Sequence, residues 1–265
     1  MELDEPKESC VAKRSPLADK VDEVRERIAS ACAKAKRDPS EVTLIAVTKT
    51  AAPEQIREIL QLGVGDLGES RVQVLQQRAA QVNEFFARQQ AHGAENLPAK
   101  LRWHMIGHLQ RNKIKPILPL VSVIHSVDSL RLAEELDAQA AKAARKLPVL
   151  MQVNASEEPQ KSGVAVGAAV PLAEQIATMD NLQIMGLMTM APLDGDERTV
   201  RQVFARTREL FDEIKFNKIG GSHMRHLSMG MSNDFEHAIT EGATLVRIGT
   251  LLFGGKVADE EMSEE

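Results

Sequence analysis

The residue with the clearest potential for chemistry is Lys49, which stands at the end of a short apolar run at residues 43–48 (TLIAVT). If this run is a β-strand, the lysine amine lies at the carboxyl end of the strand and is partly removed from water. Desolvation favours the neutral form of an amine, and a neutral amine can attack a carbonyl carbon. The strand position alone favours a different interpretation, in which the lysine stem packs along the strand and the ammonium reaches solvent.

Two later segments, SMGMS and RIGT, carry the groups that proteins use to bind phosphate. Together they offer two glycines, three hydroxyls and several backbone N–H groups, which suits an anion held by loop backbone. Asp234 and Glu236 disfavour an anion deep at the start of the following helix, so we expect the phosphate on the loops and on the turn at residues 249–250. The alternative is a pair of ordinary tight loops. The candidate residues are Ser228, Gly230, Met231, Ser232, Gly249 and Thr250.

Arg247 lies inside an apolar run, LVRIG, where a charged side chain requires a partner because an unpaired buried charge is costly. The partner is either an acid such as Glu69 or a ring nitrogen or anion of a ligand. His104 and His108 could in principle bind a metal ion. No cluster of acids or cysteines accompanies them at metal-site spacing, so a packed or hydrogen-bonded role is favoured.

These residues fall at the ends of eight short apolar runs that alternate with helical patterns. The runs are continuous rather than alternating, as in strands covered on both faces. Strands are predicted at residues 43–48, 64–68, 101–106, 121–127, 149–154, 184–190, 226–229 and 244–248. Helices are predicted from Ser15-Pro16 to about residue 31 and at residues 53–63, 72–87, 112–118, 128–146, 171–179, 197–214 and 234–241, with a loop or small insertion at residues 89–100.

Eight such units in 265 residues predict an α/β fold, a single-domain (β/α)₈ barrel. A doubly wound open sheet is the main competitor, since hydrophobic periodicity does not separate the two. The barrel domain is predicted at residues 15–256. Residues 1–14 are interpreted as a disordered tail and residues 257–265 as an acidic tail.

Composition excludes several classes of protein. The formal net charge of −5 argues against a protein built to coat nucleic acid or an anionic membrane. Cys10 and Cys32 are the only cysteines and fit a reduced, cytoplasmic chain. There is no secretory signal pattern in the first twenty residues, no apolar run near 18 residues and no tyrosine. Glycine-rich dinucleotide, Walker and serine-hydrolase motifs are also absent from the sequence.

Seven motifs follow one another along the chain. They are AVTKT (46–50), GES (68–70), WHMIGHLQRNK (103–113), KSG (161–163), GLMTM (186–190), LSMGMSNDFEHAI (227–239) and VRIGTLLFG (246–254). In unbroken order from about residue 17 to residue 255, the chain resembles the pyridoxal 5′-phosphate (PLP) homeostasis proteins, single-domain relatives of the N-terminal barrel of alanine racemase. The resemblance implies the fold type III barrel of PLP-binding proteins.

The resemblance also assigns roles to the candidate residues. It implies that Lys49 forms a Schiff base with PLP, that the two loops hold the cofactor phosphate, and that Arg247 approaches the pyridine nitrogen. An arginine there stays protonated and leaves the ring a poor electron sink. The family pattern usually has Gly-Glu-Asn where this chain has Gly-Glu-Ser, and Ser70 reaches less far than asparagine toward a cofactor. Lys161 is the candidate for a secondary, weaker adduct.

Three functions follow as expectations. The first, implied by the resemblance, is a non-catalytic carrier that holds PLP reversibly and supplies it to enzymes that lack their cofactor. The second is a PLP-dependent amino-acid racemase of low activity, although the tyrosine that its two-base relatives use is missing. The third is a scaffold that binds no cofactor. The chain is expected to be monomeric, without nucleic-acid or membrane partners.

Overall fold

A computed structural model describes residues 14–255. The predicted tails, apart from Arg14, and Cys10 lie outside these residues. Within them, the strands are β1 (Thr43–Val47), β2 (Asp66–Glu69), β3 (Arg102–Met105), β4 (Val123–Val127), β5 (Leu147–Asn154), β6 (Val164–Ala165), β7 (Leu182–Met188), β8 (His226–Ser228) and β9 (Leu245–Ile248).

A helix separates each strand from the next, except between β5 and β6. The chain enters the first helix at Ser15, whose hydroxyl accepts a hydrogen bond from the Ala18 N–H, and Pro16 occupies the first helical position, where its missing N–H costs nothing. The helices are α1 (Pro16–Lys34), α2 (Pro53–Gln61), α3 (Val72–Ala91), α4 (Ile114–Ile117), α5 (Leu130–Lys142), α6 (Val166–Ala177), α7 (Glu197–Phe216), α8 (Phe235–Thr240) and α9 (Thr250–Phe253).

Eight of the strands close into a parallel barrel. Their order is β1-β2-β3-β4-β5-β7-β8-β9, and β9 pairs again with β1. The pairing of β4 with β5, with Ile124 opposite Val149, joins the two halves of the sheet and makes the open-sheet alternative wrong. The eight-unit barrel prediction is confirmed. The two-residue strand β6 pairs only with the end of β5 and lies outside the ring.

Two predicted boundaries are wrong. The helix predicted at residues 171–179 starts earlier, because α6 begins at Val166 and carries Pro171 inside it. The loop predicted at residues 89–100 starts later, because α3 continues to Ala91 and the chain turns near Gly93, where φ is +67°. Glutamine and alanine are good helix formers, and residues 92–100 contain no helix or strand, as predicted.

The core has two parts. The larger part lies between the strands and the helix ring and includes Val24, Ile59, Leu75 and Phe204. A small inner cluster, Ile45, Leu150, Met188 and Leu245, fills part of the barrel interior. Buried polar side chains also occur in the strands, chiefly Asp66, His104, His125, Ser228 and Arg247. Within residues 14–255, the helices are too short or too polar to cross a bilayer.

Candidate functional site

Four adjacent strands, in the order β2-β1-β9-β8, bring the candidate residues to one end of the barrel. The registers place Val47 opposite Gly68 and Ala46 opposite Ile248. Because all these strands are parallel, the residues that follow them emerge at the same carboxyl-terminal mouth. The residues gathered there are Lys49, Ser70, the SMGMS segment and the RIGT segment.

The turn that carries Lys49 is held from both sides. Thr48 donates its hydroxyl to Glu69 over 3.0 Å, and the Ala51 N–H closes the turn on the Thr48 carbonyl. Arg78 of α3 donates to the carbonyls of Thr48 and Ala51. The half-buried Lys49 itself makes no hydrogen bond or ion pair with any residue from 14 to 255. The backbone of the turn is therefore fixed, while the amine is uncommitted, that is, without a hydrogen-bond or ion-pair partner among the described residues.

Glu69 is buried and pairs with Arg78, with 3.0 Å between Oε2 and Nη1. It also accepts the Ser70 N–H over 2.9 Å. The interpretation that Glu69 is the acidic partner of Arg247 is therefore wrong. Sequence analysis missed Arg78. The available signal was its position three residues after Leu75 and four before Val82, on the buried face of α3.

Arg247 is a buried cation, 4% exposed, without a carboxylate partner at ion-pair distance among the described residues. It donates to the Ser228 hydroxyl over 2.7 Å and to the Thr189 carbonyl over 3.0 Å. Burial lowers its pKa to about 10, with the charge of Asp234 acting in the opposite direction. The guanidinium therefore remains charged at neutral pH, held by neutral groups inside the barrel and lacking a compensating anion.

The SMGMS and RIGT loops, the candidates for phosphate binding, contain both hydrogen-bonded groups and groups without a hydrogen-bond partner among the described residues. Ser228 is fully buried and committed to Arg247 and His125, and the Met231 N–H donates to the Asp234 carboxylate over 2.5 Å. Burial raises the pKa of that carboxyl group, although the Met231 hydrogen bond lowers it. Several backbone N–H groups of the two loops make no hydrogen bond within residues 14–255. They include those of Gly230, Ser232, Asn233, Gly249 and Thr250.

Gly230 shapes the first loop. Its φ is +93°, and a Cβ added there would lie 2.6 Å from the Ala238 Cβ and 2.8 Å from the Phe235 Cα. A glycine is thus required both for the left-handed backbone and for the close approach of α8.

Gly230→Ala is expected to lower the free energy of unfolding by about 2–5 kcal/mol, from backbone strain plus overpacking. Gly221→Ala is the matched control, because φ there is +56° and no described atom lies within 4 Å of the added Cβ. That variant is expected to lose about 1 kcal/mol, from strain alone. Urea denaturation measures both losses. Equal losses would contradict a steric role for Gly230.

The remaining candidates lie apart from the free amine. Lys161 follows β5, across the barrel from β1, and forms an ion pair with Glu158. His108 is exposed, 3.6 Å from a carboxylate oxygen of Asp128. His104 is buried and hydrogen-bonded, as predicted. Residues 14–255 contain no group of three or more potential metal ligands.

The mouth therefore combines three chemical features. An uncommitted amine stands on a fixed turn, a buried cation lacks an anion, and unpaired N–H donors line two loops. These features fit a ligand that carries a carbonyl, a hydrogen-bond acceptor and a phosphate, which is the set that PLP presents.

Comparisons with known proteins agree with this fit. A family model described as "Alanine racemase, N-terminal domain" matches residues 14–257. The "Pyridoxal phosphate homeostasis protein" of Aquifex aeolicus is 40% identical over 236 residues, which are 89% of this chain and 96% of that protein. A protein of unknown function from Bifidobacterium adolescentis superimposes with a TM-score of 0.82 at 36% identity, covering 89% of this chain and 94% of that one. PipY of Synechococcus elongatus, solved with PLP bound, gives a TM-score of 0.73 at 33% identity, covering 90% and 100%.

Proposed function

The chain belongs to the pyridoxal phosphate homeostasis proteins, within the alanine racemase N-terminal domain family, and from this premise we propose that it holds PLP reversibly at the barrel mouth and supplies it to other proteins. The observation that carries the proposal is the uncommitted Lys49 amine, which stands on a turn fixed by Glu69 and Arg78. A free aldehyde modifies amines indiscriminately, and a carrier masks it.

PLP supplies an aldehyde that an amine can bind covalently. Lys49 would hold the cofactor through a reversible C=N bond to this aldehyde, with the carbonyl oxygen lost as water on binding and regained from water on release. Because the turn is held by other side chains, the amine can form and break this bond without rearrangement of the backbone.

The phosphate and the ring are assigned to different groups. The unpaired N–H groups of the two loops, with the hydroxyls of Ser232 and Thr250, would hold the phosphate. Arg247 would donate to the pyridine nitrogen, which gives the buried charge an acceptor. Ser228 would act only through Arg247, and Met231 through the shape of its loop, since both are already hydrogen-bonded.

The proposed cofactor contacts of Ser70 and Lys161 have less support from the structure. Ser70 is half-buried beside Glu69 at the mouth and remains a candidate contact. Lys161 remains the candidate for a secondary adduct, but its amine is paired with Glu158, whereas the Lys49 amine has no such partner among the described residues. An adduct there would first require the pair to separate, and this supports a minor role.

A carrier is favoured over an enzyme on chemical grounds. The chain has no tyrosine to serve as a second acid or base, and a cationic Arg247 at the ring nitrogen would weaken the electron sink. We propose a cytoplasmic monomer whose recipients are enzymes that lack their PLP. A visible spectrum of the protein after incubation with PLP and removal of the unbound cofactor tests the proposal, because a scaffold that binds no cofactor would then be colourless.

We expect the PLP-loaded protein to keep its spectrum in excess L-alanine, apart from slow transfer of PLP to the free amino acid. Each missing acid–base group typically costs about 10²–10⁴-fold in rate. Chiral analysis of the alanine measures the outcome. D-alanine formed at an ordinary turnover of about 1–10³ s⁻¹, and lost in Lys49→Ala, would place the protein among racemases.

A further inference from the structure

A continuous line of hydrogen bonds crosses the barrel interior and ends at Arg247. It starts at the amino-terminal ends of β3 and β2, at the face opposite the mouth, and uses side chains from five strands. The proposed function does not by itself require it. We call this line the relay, and its members in order of contact are Arg102, Asp66, His104, His125, Ser228 and Arg247.

The contacts of the relay are short and specific. Arg102 donates twice to Asp66, at 2.6 Å each, and the other Asp66 contact is to His104 Nε2 at 2.9 Å. His104 Nδ1 lies 2.8 Å from His125 Nε2, and His125 Nδ1 lies 2.9 Å from Ser228 Oγ. All members except Arg102 are buried.

The groups at the two ends of the relay determine the direction in which its hydrogen bonds are donated. Burial alone would raise the pKa of Asp66, but hydrogen bonds from His104 and Arg102 outweigh it and lower the pKa, so the carboxylate is ionised and accepts only. At the other end the Arg247 guanidinium donates only. Every proton between them must therefore point away from Arg247 and toward Asp66.

The protons inside the relay then have one arrangement. Burial holds the pKa of His125 well below its usual value, and the charge of Arg247 acts in the same direction, so this ring is neutral and carries one N–H. His104 places its proton on Nε2, toward Asp66, and His125 donates from Nε2 to His104 Nδ1. His125 Nδ1 is left to accept the Ser228 hydroxyl proton, and Ser228 offers a lone pair to Arg247.

A second proton on His104 would reverse this arrangement. His104 would then donate to His125, His125 would donate to Ser228, and the Ser228 hydrogen would have no acceptor among the described residues. Only the direction set by ionised Asp66 satisfies every polar hydrogen in the line. Ionised Asp66, at the end of the barrel opposite the mouth, therefore sets the proton positions along the whole relay.

We propose that His125 is a positioning residue for the cofactor ring: by accepting the Ser228 hydroxyl proton it turns the serine lone pair to Arg247, which holds the guanidinium in one orientation. This inference rests on the proposed function. With one N–H group donated to Ser228 and one to the Thr189 carbonyl, the guanidinium keeps its other N–H groups for the pyridine nitrogen.

Two substitutions separate the contacts of His125. In His125→Asn the amide oxygen takes the place of Nδ1, so Ser228 keeps its acceptor and the contact to His104 is lost. In His125→Gln the amide nitrogen takes the place of Nε2, so His104 keeps its donor and Ser228 loses its acceptor. Each variant removes one imidazole and leaves one amide, which makes them matched controls for each other.

The first measurement uses the cofactor-free protein. Long-range ¹H–¹⁵N spectra of the wild-type imidazoles at neutral pH should show His104 and His125 neutral, each with its proton on Nε2. A proton on Nδ1 of either ring, or a cationic ring, would overturn the relay.

The second measurement compares the dissociation constants of PLP and of its analogue with C–H in place of the ring nitrogen. Wild type and His125→Asn should prefer PLP by about tenfold or more, the value of a charge-assisted hydrogen bond. His125→Gln should bind the two compounds within about twofold of each other.

A purely structural role for His125 would weaken the binding of both compounds equally and keep the preference for PLP, which would overturn the positioning role. If wild type binds neither compound, the proposed function fails and the positioning role fails with it, while the imidazole spectra still decide the relay.

Discussion

Replacing Lys49 with alanine is expected to abolish the covalent attachment of PLP and the visible absorbance that accompanies it. No other amine at the mouth stands on a turn fixed in this way within residues 14–255, and the turn is held by Glu69 and Arg78 rather than by the lysine side chain. The variant should therefore fold normally, which circular dichroism and thermal unfolding would check.

Borohydride converts the C=N bond to a stable amine, so peptide mapping of the reduced wild-type protein should place the cofactor on Lys49. Lys161→Ala is the matched control, since it removes a lysine across the barrel that is paired with Glu158. This control should keep the main absorbance and lose only a minor adduct. Cofactor that maps mainly to another lysine would refute the assignment.

Removing the phosphate from the cofactor is expected to weaken binding at least tenfold. Pyridoxal keeps the aldehyde and the ring but cannot use the unpaired N–H groups of the two loops. Each charge-assisted hydrogen bond is worth about 1.5–3 kcal/mol, and about 1.4 kcal/mol is tenfold in affinity, so the loss of two or three such bonds is large. Equilibrium titration with PLP and with pyridoxal measures the difference.

Two threonine variants test whether the loops at the mouth cause the difference in affinity between PLP and pyridoxal. Thr250→Ala removes a hydroxyl at the mouth and should reduce the preference for PLP over pyridoxal, whereas Thr199→Ala, on the exposed start of α7, should leave it unchanged. Equal affinity of wild type for PLP and pyridoxal would show that the two loops do not form the phosphate site.

Local features of the molecule could be predicted from the sequence alone. The strand runs, the lysine at the end of β1 and the glycine and hydroxyl loops after β8 and β9 depend on short stretches of chain. Hydrophobic periodicity and residue type are local signals, and they set the local backbone. The lack of tyrosine, which limits acid–base chemistry, is also readable without a structure.

Tertiary structure decided which side chains meet. Periodicity is the same in an open sheet and in a barrel, and only the pairing of β4 with β5 closes the ring. Arg78 reaches the carbonyls of Thr48 and Ala51 from α3, and the relay joins side chains of five strands through the barrel interior. Such contacts depend on strand register and on side-chain reach between segments distant in the chain, and no local sequence pattern encodes these.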